Sequence, residues 1–175
     1  MRKPLLFQNK YNPGSDNLIL LGDYVDRGIK SRQVVEQVKT LHEEHGVVIL
    51  KGNHDQMFVD AMLNGEDELW LNNGAYQTVE SYCGFDFFEE QFDWDTYEKA
   101  KEFILKHYMH HIEFLNSLPY YHETDSHIFV HAGINPFYRS CELTHDDDFL
   151  WIRDIFYRNK MTNTDNKSCI RAYPN

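Results

Sequence analysis

Two short polar clusters carry the chemistry that this sequence can offer. The first is Gly22-Asp23-Tyr24-Val25-Asp26-Arg27-Gly28, and the second is Gly52-Asn53-His54-Asp55. Each follows directly on an apolar run, Asn17–Leu21 (NLILL) and Val47–Leu50 (VVIL). A third polar group, His131, follows His127–Val130 (HIFV) and precedes Ala132-Gly133. Asp23, Asn53 and His131 offer a carboxylate, an amide oxygen and an imidazole. That set suits Mn²⁺, Fe or Zn²⁺ better than a soft-ligand metal. A metal held there would lower the pKa of water and make a nucleophile at neutral pH. Arg27, with its planar fork, can hold two phosphoryl oxygens at once. His54 is next to a candidate ligand but can stay unligated, and so can protonate a leaving oxygen. Asp26 can accept from the other ring nitrogen of His54 and fix its tautomer. The chemistry these groups suggest together is metal-assisted attack on phosphorus.

The elements that must position them can be read from the apolar pattern. Past Asn17, NLILL is like VVIL short and fully apolar, as buried strands are. Between them, SRQVVEQVKTLHEEHG places Val34, Val35, Val38 and Leu41 on one helical face and ends at Gly46, a helix stop. Strand, helix and strand at this length predict a βαβ unit and a parallel sheet. In such sheets the carboxyl ends of neighbouring strands face a common crevice, so the two clusters should meet in space. Further helices are predicted over HDQMFVDAMLNG, over AYQTVESYCG and from Thr96 to Asn116, the last with Phe103, Ile104, His107, Tyr108 and His111 near its buried side. Strand character returns at Tyr120–His122 and His127–Val130, Asp148–Arg158 reads as one helix, and Asn163–Asn175 reads as irregular.

Composition narrows the function. The chain has 175 residues with 42% hydrophobic and 15% aromatic content, enough for one domain spanning residues 1–175 with an ordinary core. Its formal charge of −11 disfavours nucleic acid, whose phosphates need a basic face. No apolar run approaches a membrane span, and the opening residues lack a signal-peptide pattern. Three cysteines, Cys83, Cys141 and Cys169, are an odd number without CxxC spacing, which predicts reduced thiols and a cytoplasmic setting.

GDYVDRG, followed after twenty-three residues by GNHD and later by HAG, resembles the phosphoprotein-phosphatase branch of the calcineurin-like metallophosphoesterases. The family pattern is GDxVDRG, GNHE and a histidine before AG; here Asp55 stands in place of the Glu. The likeness runs from about Tyr11 to Arg158, includes LWLNNGAYQT and LWIRDIF, and is strongest to bacterial members. These include serine/threonine phosphatases and diadenosine-tetraphosphate hydrolases. The resemblance implies an α/β fold, the metallophosphatase sandwich with α/β/β/α layers. It implies that Asp23 bridges two metals and that Asn53 and His131 bind the second. It makes His54 the general acid oriented by Asp26, and Arg27 and Arg153 the phosphate-binding residues. The substrate would be a phosphoprotein or a small phosphoester, with dinucleoside polyphosphates as the alternative.

The same family carries a GDxHG motif before the first cluster and a GH motif after HAG. This chain has neither: the only Asp before Asp23 is Asp16, the first His is His42, and the only His after His131 is His145. Asp23 is then the sole ligand left to the first metal, whereas the second retains Asp23, Asn53 and His131. The expectation is a fold incomplete at both ends, at most one metal, most suitably Mn²⁺, and activity that is weak or, in a non-catalytic remnant, absent.

Overall fold

The computed structural model describes residues 16–84, 87, 93–158 and 167–172. The predicted βαβ unit is present. Strand β1 (Ile19–Leu20) pairs in parallel with β2 (Val48–Ile49), and helix α1 (Ser31–His45) connects them. Gly46 ends α1 in the left-handed region at φ 64°. Its N–H reaches the His42 carbonyl, the 5→1 bond of a left-handed helix stop, and the Val47 N–H reaches the Leu41 carbonyl. Val35 and Val38 of α1 are buried as the pattern required, whereas Val34 is exposed: the inward stripe is narrower than the sequence suggested.

Beyond β2 the chain is helical: α2 (Asn53–Asn64), α3 (Asp67–Leu71), α4 (Tyr76–Cys83) and α5 (Trp94–Ser117). The short α3 was not anticipated. Phe58, Trp70, Tyr82 and Tyr97 from these helices form an aromatic core with Val35, Ile49 and Ile112. The Phe58 and Trp70 ring centroids are 4.9 Å apart. Side chains of this size contribute roughly 1.5–3 kcal/mol each when fully buried. In α5, Ile104 and His111 face inward as expected, but Phe103 and His107 are exposed and Tyr108 is half-buried. The helix departs from helical geometry at Tyr108 (φ −131°, ψ 24°), so one continuous stripe cannot describe it.

A second sheet follows, ordered β3-β4-β5: β3 (Tyr121–Glu123) is antiparallel to β4 (His127–Val130), and β4 is parallel to β5 (Ser168–Arg171). Strand β5 corrects the irregular reading of 163–175; residues 163–166 and 173–175 of that reading lie outside the described residues. Its alternation was unreadable because Ile170 points outward and Arg171 is half-buried. The predicted helix over 148–158 is two helices, α6 (Asp146–Trp151) and α7 (Asp154–Arg158). Ile152 breaks it in extended backbone (φ −61°, ψ 132°). Phe149 of α6 stacks on Tyr121 at 5.1 Å and helps cover the second sheet. The fold is thus mixed α/β, two sheets with helices packed on them. Lys51 joins its halves: its N–H donates to Pro119, while its buried ammonium donates to Gln56 and the Asn116 carbonyl. Among the described residues no helix is long and apolar enough to cross a membrane.

Candidate functional site

The loop after β1 is held in a costly shape. Asp23, Asp26 and Arg27 have φ of 64°, 71° and 58°, and they are the non-glycine residues with positive φ among those described. Each such residue costs on the order of 1–2 kcal/mol, and strain of this kind persists only where the surroundings over-determine it. Asp55 is one such determinant. Its fully buried carboxylate accepts the N–H groups of Asp23 (2.8 Å), Tyr24 (2.8 Å) and Gly52 (2.9 Å). It therefore ties both polar loops together while capping α2 from its N-terminal turn. Burial pushes its carboxyl up to about 7, against the pull of those three amides.

The two loops touch through glycine. A Cβ on Gly22 would lie 2.5 Å from the Gly52 Cα, and one on Gly52 would lie 2.4 Å from the Asp23 amide nitrogen. Gly22 and Gly52 are thus required by close approach. Gly133 has the same role beside His131: its Cβ would meet Ile152 at 2.9 Å and the Phe156 ring at 3.0 Å.

Six of the seven candidate residues are brought together by direct contacts. His131 is fully buried, and its Nδ1 lies 2.6 Å from the Leu21 carbonyl at the end of β1. With that nitrogen donating, Nε2 carries a lone pair. Nε2 faces Asn53 Oδ1 at 2.9 Å and Asp23 Oδ1 at 3.5 Å. Three electron-rich atoms, from the loops after β1 and β4 and from the first residue of α2, thus converge, and a divalent cation would satisfy all of them at once. The residues present fit a metal.

Beside this point runs a second chain of contacts. His54 Nδ1 donates to Asp26 Oδ2 at 2.7 Å, and Arg27 Nη2 lies 3.1 Å from His54 Nε2. Arginine can only donate, so His54 there is neutral and accepts at Nε2. The Asp26 hydrogen bond holds the His54 imidazole above its usual range, against the opposing effect of burial. Asp26 is itself fixed by two residues that motif reading did not single out. Trp70 Nε1 donates to its carboxylate at 3.0 and 3.2 Å, and the Thr78 hydroxyl donates to Oδ1 at 2.8 Å while accepting the Asp26 N–H at 2.8 Å. Both belong to the stretch LWLNNGAYQT, whose likeness to bacterial sequences was the available signal.

Arg153 is placed differently. It is exposed in the gap between α6 and α7, next to Ile152 over Gly133, and is not joined to the other six by these contacts. A cleft of about 630 Å³ between the sheets, lined by Leu18, His45, Val47, His122 and His127, contains none of the candidate residues.

An α/β fold whose strand ends bring together a candidate metal-ligand set and an Arg–His–Asp chain defines a class. The sequence model of the family "Calcineurin-like phosphoesterase" matches residues 4–172, and the chain belongs to that family. It is similar to serine/threonine-protein phosphatase 1 of Salmonella typhimurium, 35% identical over 66 residues, 38% of this chain and 29% of that protein. It is also similar to serine/threonine-protein phosphatase 2 of Escherichia coli, 34% identical over 70 residues, 40% of this chain and 30% of that protein. The chain thus spans under a third of the length of these relatives.

Proposed function

We propose that this chain is a metal-dependent phosphoester hydrolase of the serine/threonine-phosphatase type, acting on phosphomonoesters of a phosphoprotein or small molecule in a cytoplasmic setting. The observation that carries this reading is the convergence of Asp23, Asn53 and His131 beside the Arg27–His54–Asp26 chain. Asp23, Asn53 and His131 would hold a single divalent ion, most suitably Mn²⁺, with Fe or Zn²⁺ as the other fitting metals. When bound, the ion supplies Lewis acidity and a water of lowered pKa. Arg27 binds the phosphoryl oxygens, with Arg153 as the second guanidinium on the His131 side. As Arg27 turns to the phosphate, its hydrogen bond leaves His54 Nε2, and that nitrogen is open to carry a proton. Asp26 stabilises the charged imidazole through Nδ1, and Nε2–H donates to the leaving oxygen. Trp70 and Thr78 keep the Asp26 carboxylate in place for this.

Leaving-group dependence tests the reading. His54→Ala is expected to lower kcat by about 10²–10⁴ on phenyl phosphate, whose leaving oxygen needs the proton. The loss should be much smaller on p-nitrophenyl phosphate, whose anion leaves unaided. Equal loss on both esters would remove His54 from the acid role. Turnover of diadenosine tetraphosphate with no hydrolysis of either ester would move the assignment to anhydride cleavage.

A further inference from the structure

A second group of metal-ligating side chains lies where α1 meets α5, built from residues that the site above does not use. His111, 1% exposed, is the only one of the three that is buried. Its Nε2 lies 2.8 Å from Glu36 Oε2 on α1, and its Nδ1 lies 3.0 Å from the Tyr82 hydroxyl on α4. His110, its neighbour in the chain, stands edge-on to it with ring centroids 4.4 Å apart. One ligand atom from each of Glu36, His110 and His111 lies within 4.8 Å of the other two. The group falls just past the break in α5 at Tyr108.

We propose that Glu36, His110 and His111 form a binding site for a borderline divalent transition-metal ion of the Zn²⁺ type, which clamps α5 to α1. Two imidazoles and one carboxylate with a fourth position for water are a recurring ligand set for zinc. They suit Zn²⁺, Co²⁺ or Ni²⁺ better than the all-oxygen cations Mg²⁺ and Ca²⁺. Tetrahedral zinc needs its ligand atoms about 3.3 Å apart, so the Glu36–His111 pair at 2.8 Å must open slightly, and any pair near the 4.8 Å limit must close by up to about 1.5 Å. Glu36 and His110 are exposed and can turn to provide that movement, while buried His111 is the fixed point. His111 and Glu36 are also held toward the charge states a metal requires. Burial holds the His111 imidazole below its usual range, which keeps it neutral, and the His111 hydrogen bond holds the Glu36 carboxyl below its own. On binding, the metal takes the place of the Nε2 proton. His111 then adopts the tautomer with Nδ1–H directed to the Tyr82 oxygen, so the ring neither gains nor loses a proton overall. That outer hydrogen bond orients the ligand, as second partners of metal-bound histidines do.

The test is titration of the full chain carrying Asp23→Asn, which disables the candidate catalytic centre while keeping its shape, with Zn²⁺ by calorimetry. The expected result is one bound equivalent and a rise in Tm on adding Zn²⁺. Adding His110→Ala or Glu36→Gln, both at exposed positions, should cut the affinity at least about tenfold and remove the rise in Tm. Absence of Zn²⁺ binding in the Asp23→Asn chain, or affinity unchanged by both further substitutions, would overturn the proposal.

Discussion

Asp55→Ala is expected to destabilise the protein by about 3–5 kcal/mol, read as a fall in Tm and in the denaturant midpoint. The carboxylate is fully buried and accepts three backbone N–H groups, from Gly52, Asp23 and Tyr24. Removing it leaves those donors unpaired, and each buried unpaired donor costs roughly 1–3 kcal/mol. The Asp23 and Tyr24 amides belong to a loop whose left-handed residues depend on outside support. Metal affinity should fall with stability, because Asp23 is no longer presented to Asn53 and His131. Asp55→Asn keeps the shape and one acceptor oxygen and is expected to lose less. Equal stability of Asp55→Ala and the native chain would show that another group supports the loop.

Gly52→Ala is expected to cost about 2–4 kcal/mol and to weaken metal binding at least tenfold. The backbone at Gly52 (φ −102°, ψ 168°) suits any residue, so the cost is steric alone. An added Cβ would stand 2.4 Å from both the amide nitrogen and Oδ1 of Asp23 and 3.1 Å from Asp55 Oδ2. The amide nitrogen is backbone and cannot swing aside as a side chain could, so the loops must separate. Gly46→Ala is the internal control. Its Cβ would meet nothing within 4 Å, and only its φ of 64° is unfavourable. It should cost about 1 kcal/mol and leave metal affinity unchanged. Calorimetric titration with Mn²⁺ of the three chains, alongside their denaturation curves, separates the two effects.

The part of this structure that was legible in the sequence is the part with short-range causes. NLILL and VVIL read as strands, although β1 is half-buried where a buried strand was expected; Gly46 read as a helix stop, and the polar clusters after the strands met as a parallel sheet requires. The meeting of five of the seven candidate residues, Asp23, Asp26, Arg27, Asn53 and His54, follows from that, and His131 joins them from the end of a strand in the other sheet. What was hidden depends on distant partners. Trp70 and Thr78 reach Asp26 from 44 and 52 positions along the chain, and no periodicity announces that their polar atoms, rather than their bulk, matter. Asp55 read as a variant of a motif residue, whereas its three amide partners appear only once the loops are folded together. Strand β5 is made by pairing with β4, since its own residues put Ile170 outward. The break between α6 and α7 likewise has a tertiary cause: Ile152 leaves the helix to pack over Gly133.

The most direct test of the central claim is Mn²⁺-dependent hydrolysis of p-nitrophenyl phosphate by the native chain and by Asp23→Asn. Metal-dependent turnover is expected in the native chain, slow with a single ion and lost in the variant, with both chains equally folded. No turnover of the native chain at any Mn²⁺ concentration, or turnover that survives Asp23→Asn, would contradict it.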